Sequence, residues 1–171
     1  MNRLKVFATV AMIALTVMIF AAPHAYAQSD NSYGPEIARN WSLRVGPYFF
    51  NHNIGGSTVG FSAIVERTVF SGETYDVTAG IGYNGTSDIY SVPALINVIG
   101  HRNHIRYGIG IGIAFDRLPN HDSTNGLAAD VLLGYELTGG RNPTTLDLRY
   151  YFVGSTADQM DGFGLTYGIK F

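Results

Sequence analysis

The chain has 171 residues, no cysteine and a formal net charge of −2 at pH 7. Without cysteine, a disulfide framework, a thiolate metal site and a cysteine nucleophile are all excluded. Setting aside Arg3 and Lys5 leaves 9 basic residues against 13 acidic ones after residue 27, a balance of 9 − 13 = −4 that argues against nucleic acid as a partner.

Residues 1–27 open with Arg3 and Lys5, continue through the uncharged apolar run Val6 to Ala22 and end on Ala25-Tyr26-Ala27. A positive start, an apolar stretch and a small-x-small end predict a secretory signal peptide cut before Gln28. The competing reading is a membrane anchor, but no positively charged stop follows. Residues 28–40 are polar, contain Gly34-Pro35 and have no period, which predicts a flexible lead-in. Residues 41–171 remain, enough for one domain.

From Trp41 onward, segments of strand character follow one another: Trp41 to Asn51, Ser57 to Arg67, Thr74 to Asn84, Ile89 to Arg102, His104 to Asp116, Gly126 to Leu137, Thr144 to Val153 and Asp161 to Phe171. Turn chemistry separates them at Gly55-Gly56, Ser71-Gly72, Asn84-Gly85, Arg102-Asn103, Gly139-Gly140 with Asn142-Pro143, and Gly154-Ser155. Most are close to the roughly 9–11 residues with which a tilted strand crosses a bilayer. The even count predicts an all-β, eight-stranded antiparallel up-and-down transmembrane barrel over 41–171, with both ends on the periplasmic side.

Alternation gives each segment two faces. One is apolar throughout, as in Ile105, Tyr107, Ile109, Ile111, Ile113 and Phe115, and is expected to carry no charge in any segment. The other holds Arg44, Glu66, Asp76, Arg106, Asp130, Glu136, Asp147, Arg149 and Lys170 among many glycines, with Tyr48, Leu95 and Tyr151 as larger members. Glycine weakens an exposed strand and suits a narrow interior where it makes room for bulky neighbours, so the polar face is expected inside. Such an interior should form a paired polar network, because an unpaired buried charge costs several kcal/mol. The aromatic residues sort by height: Trp41, Tyr75, Tyr107, Tyr135, Tyr167 and Phe171 toward one rim, and Phe49, Tyr83, Tyr90, Phe115, Phe152 and Phe163 toward the other. Two aromatic girdles with aliphatic residues between them are the pattern of a membrane barrel.

With the closing run Gly164-Leu165-Thr166-Tyr167-Gly168-Ile169-Lys170-Phe171, this pattern resembles the small outer-membrane β-barrel family that includes OmpA-like and OmpX-like transmembrane domains. The resemblance covers Trp41 to Phe171 and departs from the common pattern in its short connections. It implies a porin-like cell-envelope protein of Gram-negative bacteria, in the outer membrane. Its partners would be the surrounding lipids and, through the last strand, the barrel-insertion machinery.

Other motifs are weighed against plainer readings. Gly108-Ile109-Gly110-Ile111-Gly112 lacks the spacing of a phosphate-cradling loop and reads as strand. His121 and Ser123, in the longest presumed outer loop, are the residue types of a lipid hydrolase, but Glu136 is expected near the opposite rim. His101 and His104 bracket a turn and could donate to a metal only with further ligands; a basic polar turn is the plainer reading. Asp88, Asp116, Asp122, Asp158 and Asp161 are expected on an acidic outer rim. The reading is thus a monomeric, non-catalytic barrel with a side-chain-filled polar lumen and no cofactor, serving membrane integrity or surface interaction. The alternatives are a narrow passive channel for small solutes and a lipid A or phospholipid hydrolase.

Overall fold

The computed structural model describes residues 41–54, 57–118, 123–138, 143–154 and 160–171. The expected signal peptide (1–27), the lead-in (28–40), His121, Asp122 and Asp158 lie outside the described residues. Strands β1 (Trp41–Ile54), β2 (Ser57–Ser71), β3 (Tyr75–Gly85), β4 (Tyr90–Arg102), β5 (Ile105–Arg117), β6 (Ser123–Thr138), β7 (Thr144–Gly154) and β8 (Gly162–Lys170) follow one another. Each pairs antiparallel with its chain neighbour, and β1 pairs with β8, so the sheet closes into a barrel. Closure leaves no sheet edge to be protected.

Strand ends depart from the expected ones where local chemistry intervenes. β2 runs on to Ser71 because the register shifts between Thr68 and Phe70, leaving Val69 and Phe70 both exposed. A bulge of this kind absorbs one residue and resets the alternation. Asn84 and Gly85 end β3, and the turn itself follows them, closed by the Thr86 amide donating to the Ile89 carbonyl at 2.7 Å. Gly85 has φ +150°, and an added Cβ would meet the backbone of Tyr90 at 2.5 Å. The tight β4–β5 turn uses Asn103 at φ 55°, a left-handed conformation that asparagine tolerates.

Following paired residues once around the barrel leads from Thr144 through Ile169, Leu43, Val65, Ile81, Ala94, Ile113 and Leu127 back to β7 at Gly154, a stagger of 154 − 144 = 10 residues. Ten residues at about 3.3 Å along the strands, set against eight strands about 4.8 Å apart, imply a tilt of roughly 40°. The barrel has a near end, where β1 begins and β8 finishes, and a far end, where the β1–β2, β3–β4, β5–β6 and β7–β8 connections lie.

The apolar face points outward. Leu127, Ile111, Ile96, Leu133 and Ile81 are 56–69% exposed, whereas Glu66, Asp147 and Arg149 on the other face are at most 1% exposed. One expectation about the outward face is corrected: Arg67 and Arg102 belong to it, as does Arg117 just beyond the predicted segment. Arg102 and Arg117 close β4 and β5, and Arg67, four residues before the end of β2, is in register with Trp41, the first residue of β1, and lies 5.7 Å from its ring centroid.

Candidate functional site

The lumen is where this barrel concentrates its polar chemistry. Alternation turns Arg44 of β1, Glu66 of β2, Arg106 of β5, Asp130 of β6, and Asp147 and Arg149 of β7 inward, and each is at most 6% exposed. Their charges alternate along one chain of ion pairs. Arg106 Nη1 is 3.1 Å from both Asp147 oxygens, and Asp147 Oδ2 accepts from Arg44 Nε at 2.6 Å. Arg44 Nη1 also pairs with Glu66 Oε2, Glu66 Oε1 is 2.6 Å from Arg149 Nη2, and Arg149 Nη1 donates to Asp130 Oδ2 at 3.1 Å. Three arginines against three carboxylates sum to zero, and Ser42, Asn97 and Thr145 add hydrogen bonds at 2.7–3.4 Å. Shared partners and mutual neutralisation offset the high cost of burying each charge.

Glycine makes the space. A Cβ on Gly134 would strike Asp147 Oδ1, and one on Gly110 would strike both Asn97 Oδ1 and Asp130 Oδ1. The carboxylates lie where a neighbouring strand has no side chain.

Asp76 and Lys170 sit at the near mouth rather than in this chain. Asp76 Oδ1 accepts from Ser71 Oγ at 2.6 Å, His101 Nε2 is 3.1 Å from Asp76 Oδ2, and Lys170 Nζ approaches the same oxygen only to 3.9 Å. Glu136 is half-buried and joins Lys170, His101 and Arg106 around a cavity of about 200 Å³. Beyond, between Glu66, Asn97, Arg149 and Tyr151, is a void of about 10 Å³, the size of one water.

The far half of the lumen is different. Tyr48, Phe50, Ile64, Ile89, Leu95, Ala114, Ala128, Tyr151, Val153 and Met160 form one buried apolar cluster. Tyr48 packs edge-on against Phe50 at 5.1 Å and donates its hydroxyl to the Met160 carbonyl at 2.6 Å. The expected side-chain-filled lumen, with Tyr48, Leu95 and Tyr151 as larger members among the polar residues, is thus divided by height: polar residues fill the near half, and an aromatic-aliphatic plug that includes those three fills most of the far half. The signal was present in the inward positions Tyr48, Leu95, Ala114, Ala128, Tyr151 and Val153, but it emerges only when the stagger places them at one height.

On the outside, a stagger of 10 over eight strands means that constant height shifts by 10/8 = 1.25 residues per strand. On that measure Trp41, Tyr75, Tyr107, Tyr135, Tyr167 and Phe171 gather toward the near end, and Phe49, Tyr83, Tyr90, Phe115, Phe152 and Phe163 toward the far end. Tyr83 stacks on Tyr90 at 5.4 Å, and a Cβ on Gly100 would meet the Tyr107 ring at 2.6 Å, which explains why Tyr83, Tyr90 and Tyr107 are only half exposed.

Of the hydrolase residues, Ser123 is the exposed first residue of β6, paired in register with Arg117, and not part of the loop as expected. Glu136 lies near the other end of the same strand. His101 and His104 also separate: one bonds Asp76 in the lumen, while the other stacks on Tyr135 at 5.7 Å outside. Among the described residues, no group of three or more His, Asp or Glu is placed to hold a metal ion. Asp116, expected on the outer rim, is instead turned into the barrel and 2% exposed, because it continues the inward series Arg106, Gly108, Gly110, Gly112, Ala114. Asp161 accepts from the Val153 amide at 2.7 Å, and Asp88 is exposed. Comparison of the sequence with protein-family models and with curated proteins returns no match.

Proposed function

We propose that this chain is an integral, monomeric, non-catalytic barrel of a bacterial outer membrane, exported through a cleaved signal peptide at residues 1–27. Its work is to support membrane integrity or to present a surface for interaction. The observation that carries the reading is the distribution of polarity: aliphatic side chains at the barrel waist face outward, and the charged residues of the chain from Arg106 to Asp130 face inward. In water this would expose an apolar band around the whole circumference, far beyond what a soluble monomer carries. In a bilayer the same band meets lipid, with the aromatic residues at headgroup height. Lipids of the two leaflets are then the main partners, and β8 is the segment presented to the insertion machinery.

A closed lumen supports the non-conducting form of this reading. The near half is occupied by mutually paired charges and the far half by the Tyr48–Phe50–Tyr151 plug. Planar-bilayer recording is expected to show a flat baseline, and discrete single-channel openings would defeat it. The membrane reading has its own test in Ile111→Arg at the barrel waist. In lipid vesicles it is expected to cost about 2–4 kcal/mol of unfolding free energy, against little for Asp88→Arg in an exposed turn. Equal tolerance at the two positions would sink the assignment.

A further inference from the structure

The near mouth of the barrel holds charges that the central network leaves over. Every one of the eight strands gives at least one residue to the wall of the cavity of about 200 Å³ found there. Its charged residues face one space by register: Glu136 stands opposite Thr145, Lys170 opposite Ser42 and Arg106 opposite His101, and residues opposite each other share a face of the sheet. Thr145, Ser42 and Arg106 are buried on the lumen side. Among the described residues, no hydrogen bond or ion pair engages the Glu136 carboxylate. Lys170 Nζ comes only to 3.9 Å from Asp76, whose two oxygens already meet Ser71 and His101. Arg106 reaches Asp147 through Nη1 alone, which leaves Nε and Nη2 without an acceptor among the described residues. Opposite charges around so small a space attract one another, and holding them apart is costly unless something polar between them answers both.

We propose that this cavity binds a small polar α-amino acid, with its ammonium on the Glu136 carboxylate and its carboxylate between Lys170 and Arg106. A zwitterion satisfies both signs at once, whereas a simple anion is repelled by Glu136 and a simple cation by Lys170 and Arg106. The hydroxyls of Ser42, Thr68 and Thr145 on the same wall suit a short polar side chain rather than a long apolar one. Toward the far end the next void is only about 10 Å³, the size of one water, so the ligand enters and leaves by the near mouth. The site does not depend on the membrane reading, since its chemistry is the same whatever surrounds the barrel wall.

The test is calorimetric titration of the full chain in non-ionic detergent with L-serine and, separately, with ethanolamine, which lacks its carboxylate, and hydracrylate, which lacks its ammonium. Serine is expected to bind saturably, and each analogue roughly tenfold more weakly or worse. Serine affinity is expected to fall by roughly tenfold in Glu136→Gln and in Lys170→Gln. Both variants lie outside the chain of ion pairs from Arg106 to Asp130, and either stands alone if the other does not fold. In Glu136→Gln hydracrylate is expected to bind no more weakly than to the parent, because the like charge beside it is gone. No serine binding to the parent would overturn the proposal, as would serine binding unchanged in both variants. Hydracrylate or ethanolamine binding the parent as tightly as serine would also overturn it, since one charge would then suffice.

Discussion

The two halves of the lumen solve the same packing problem with opposite chemistry. Near-half side chains are fixed by partners: Arg44, Arg106 and Arg149 each touch a carboxylate, and Glu66 and Asp147 each serve two arginines. Far-half side chains are fixed by shape: Tyr48, Phe50 and Tyr151 interlock at ring separations of 5.1 and 5.9 Å, with Leu95, Ala114 and Ala128 in the same cluster. A network of partners tolerates no change of charge, while a packed cluster tolerates a change of atom type if the volume is kept.

Four substitutions can break or sharpen that contrast, each read by denaturant unfolding in lipid vesicles. Arg149→Met keeps much of the bulk and removes the charge between Glu66 and Asp130; it is expected to cost about 3–5 kcal/mol. Glu66→Gln keeps shape almost entirely and weakens its bonds to two arginines, an expected loss of about 1.5–3 kcal/mol. In the far half, Leu95→Met conserves volume and should cost less than about 1.5 kcal/mol. Tyr48→Phe removes one hydrogen bond, to the Met160 carbonyl, and should cost about 0.5–1.5 kcal/mol. If Leu95→Met costs as much as Arg149→Met, or Glu66→Gln is silent, the division of the lumen into partnered and packed halves is wrong.

Much of this was legible in the chain because a period of two is a direct physical record of which side a residue faces. The eight strands follow from it, as does the inward placement of Arg44, Glu66, Arg106, Asp130, Asp147 and Arg149, whereas closure was expected from the even number of strands and is seen in the β1–β8 pairing. What escaped depends on things a single strand does not carry. The bulge at Val69 resets the alternation near the end of β2. Asp116 looked like a loop residue because β5 was expected to stop there, yet the strand carries one residue further and holds it inside. The split of the lumen required the ten-residue stagger, since height along the axis is a property of pairing between strands. Which carboxylate meets which arginine was beyond the pattern altogether, because it depends on side chains reaching across the barrel.

The glycines opposite the carboxylates carry a consequence for how this sequence can change. Asp147 occupies the place of the missing Cβ of Gly134, and Asp130 that of Gly110. Neither member of such a pair can drift alone, since a side chain added at the glycine displaces the acid and thereby unseats an arginine two strands away. In a randomised library, Gly134 and Asp147 should therefore be recovered as linked choices, a bulkier residue at one surviving only beside a shorter one at the other. Positions 134 and 147 would be inherited as a unit, although 12 residues separate them in the chain.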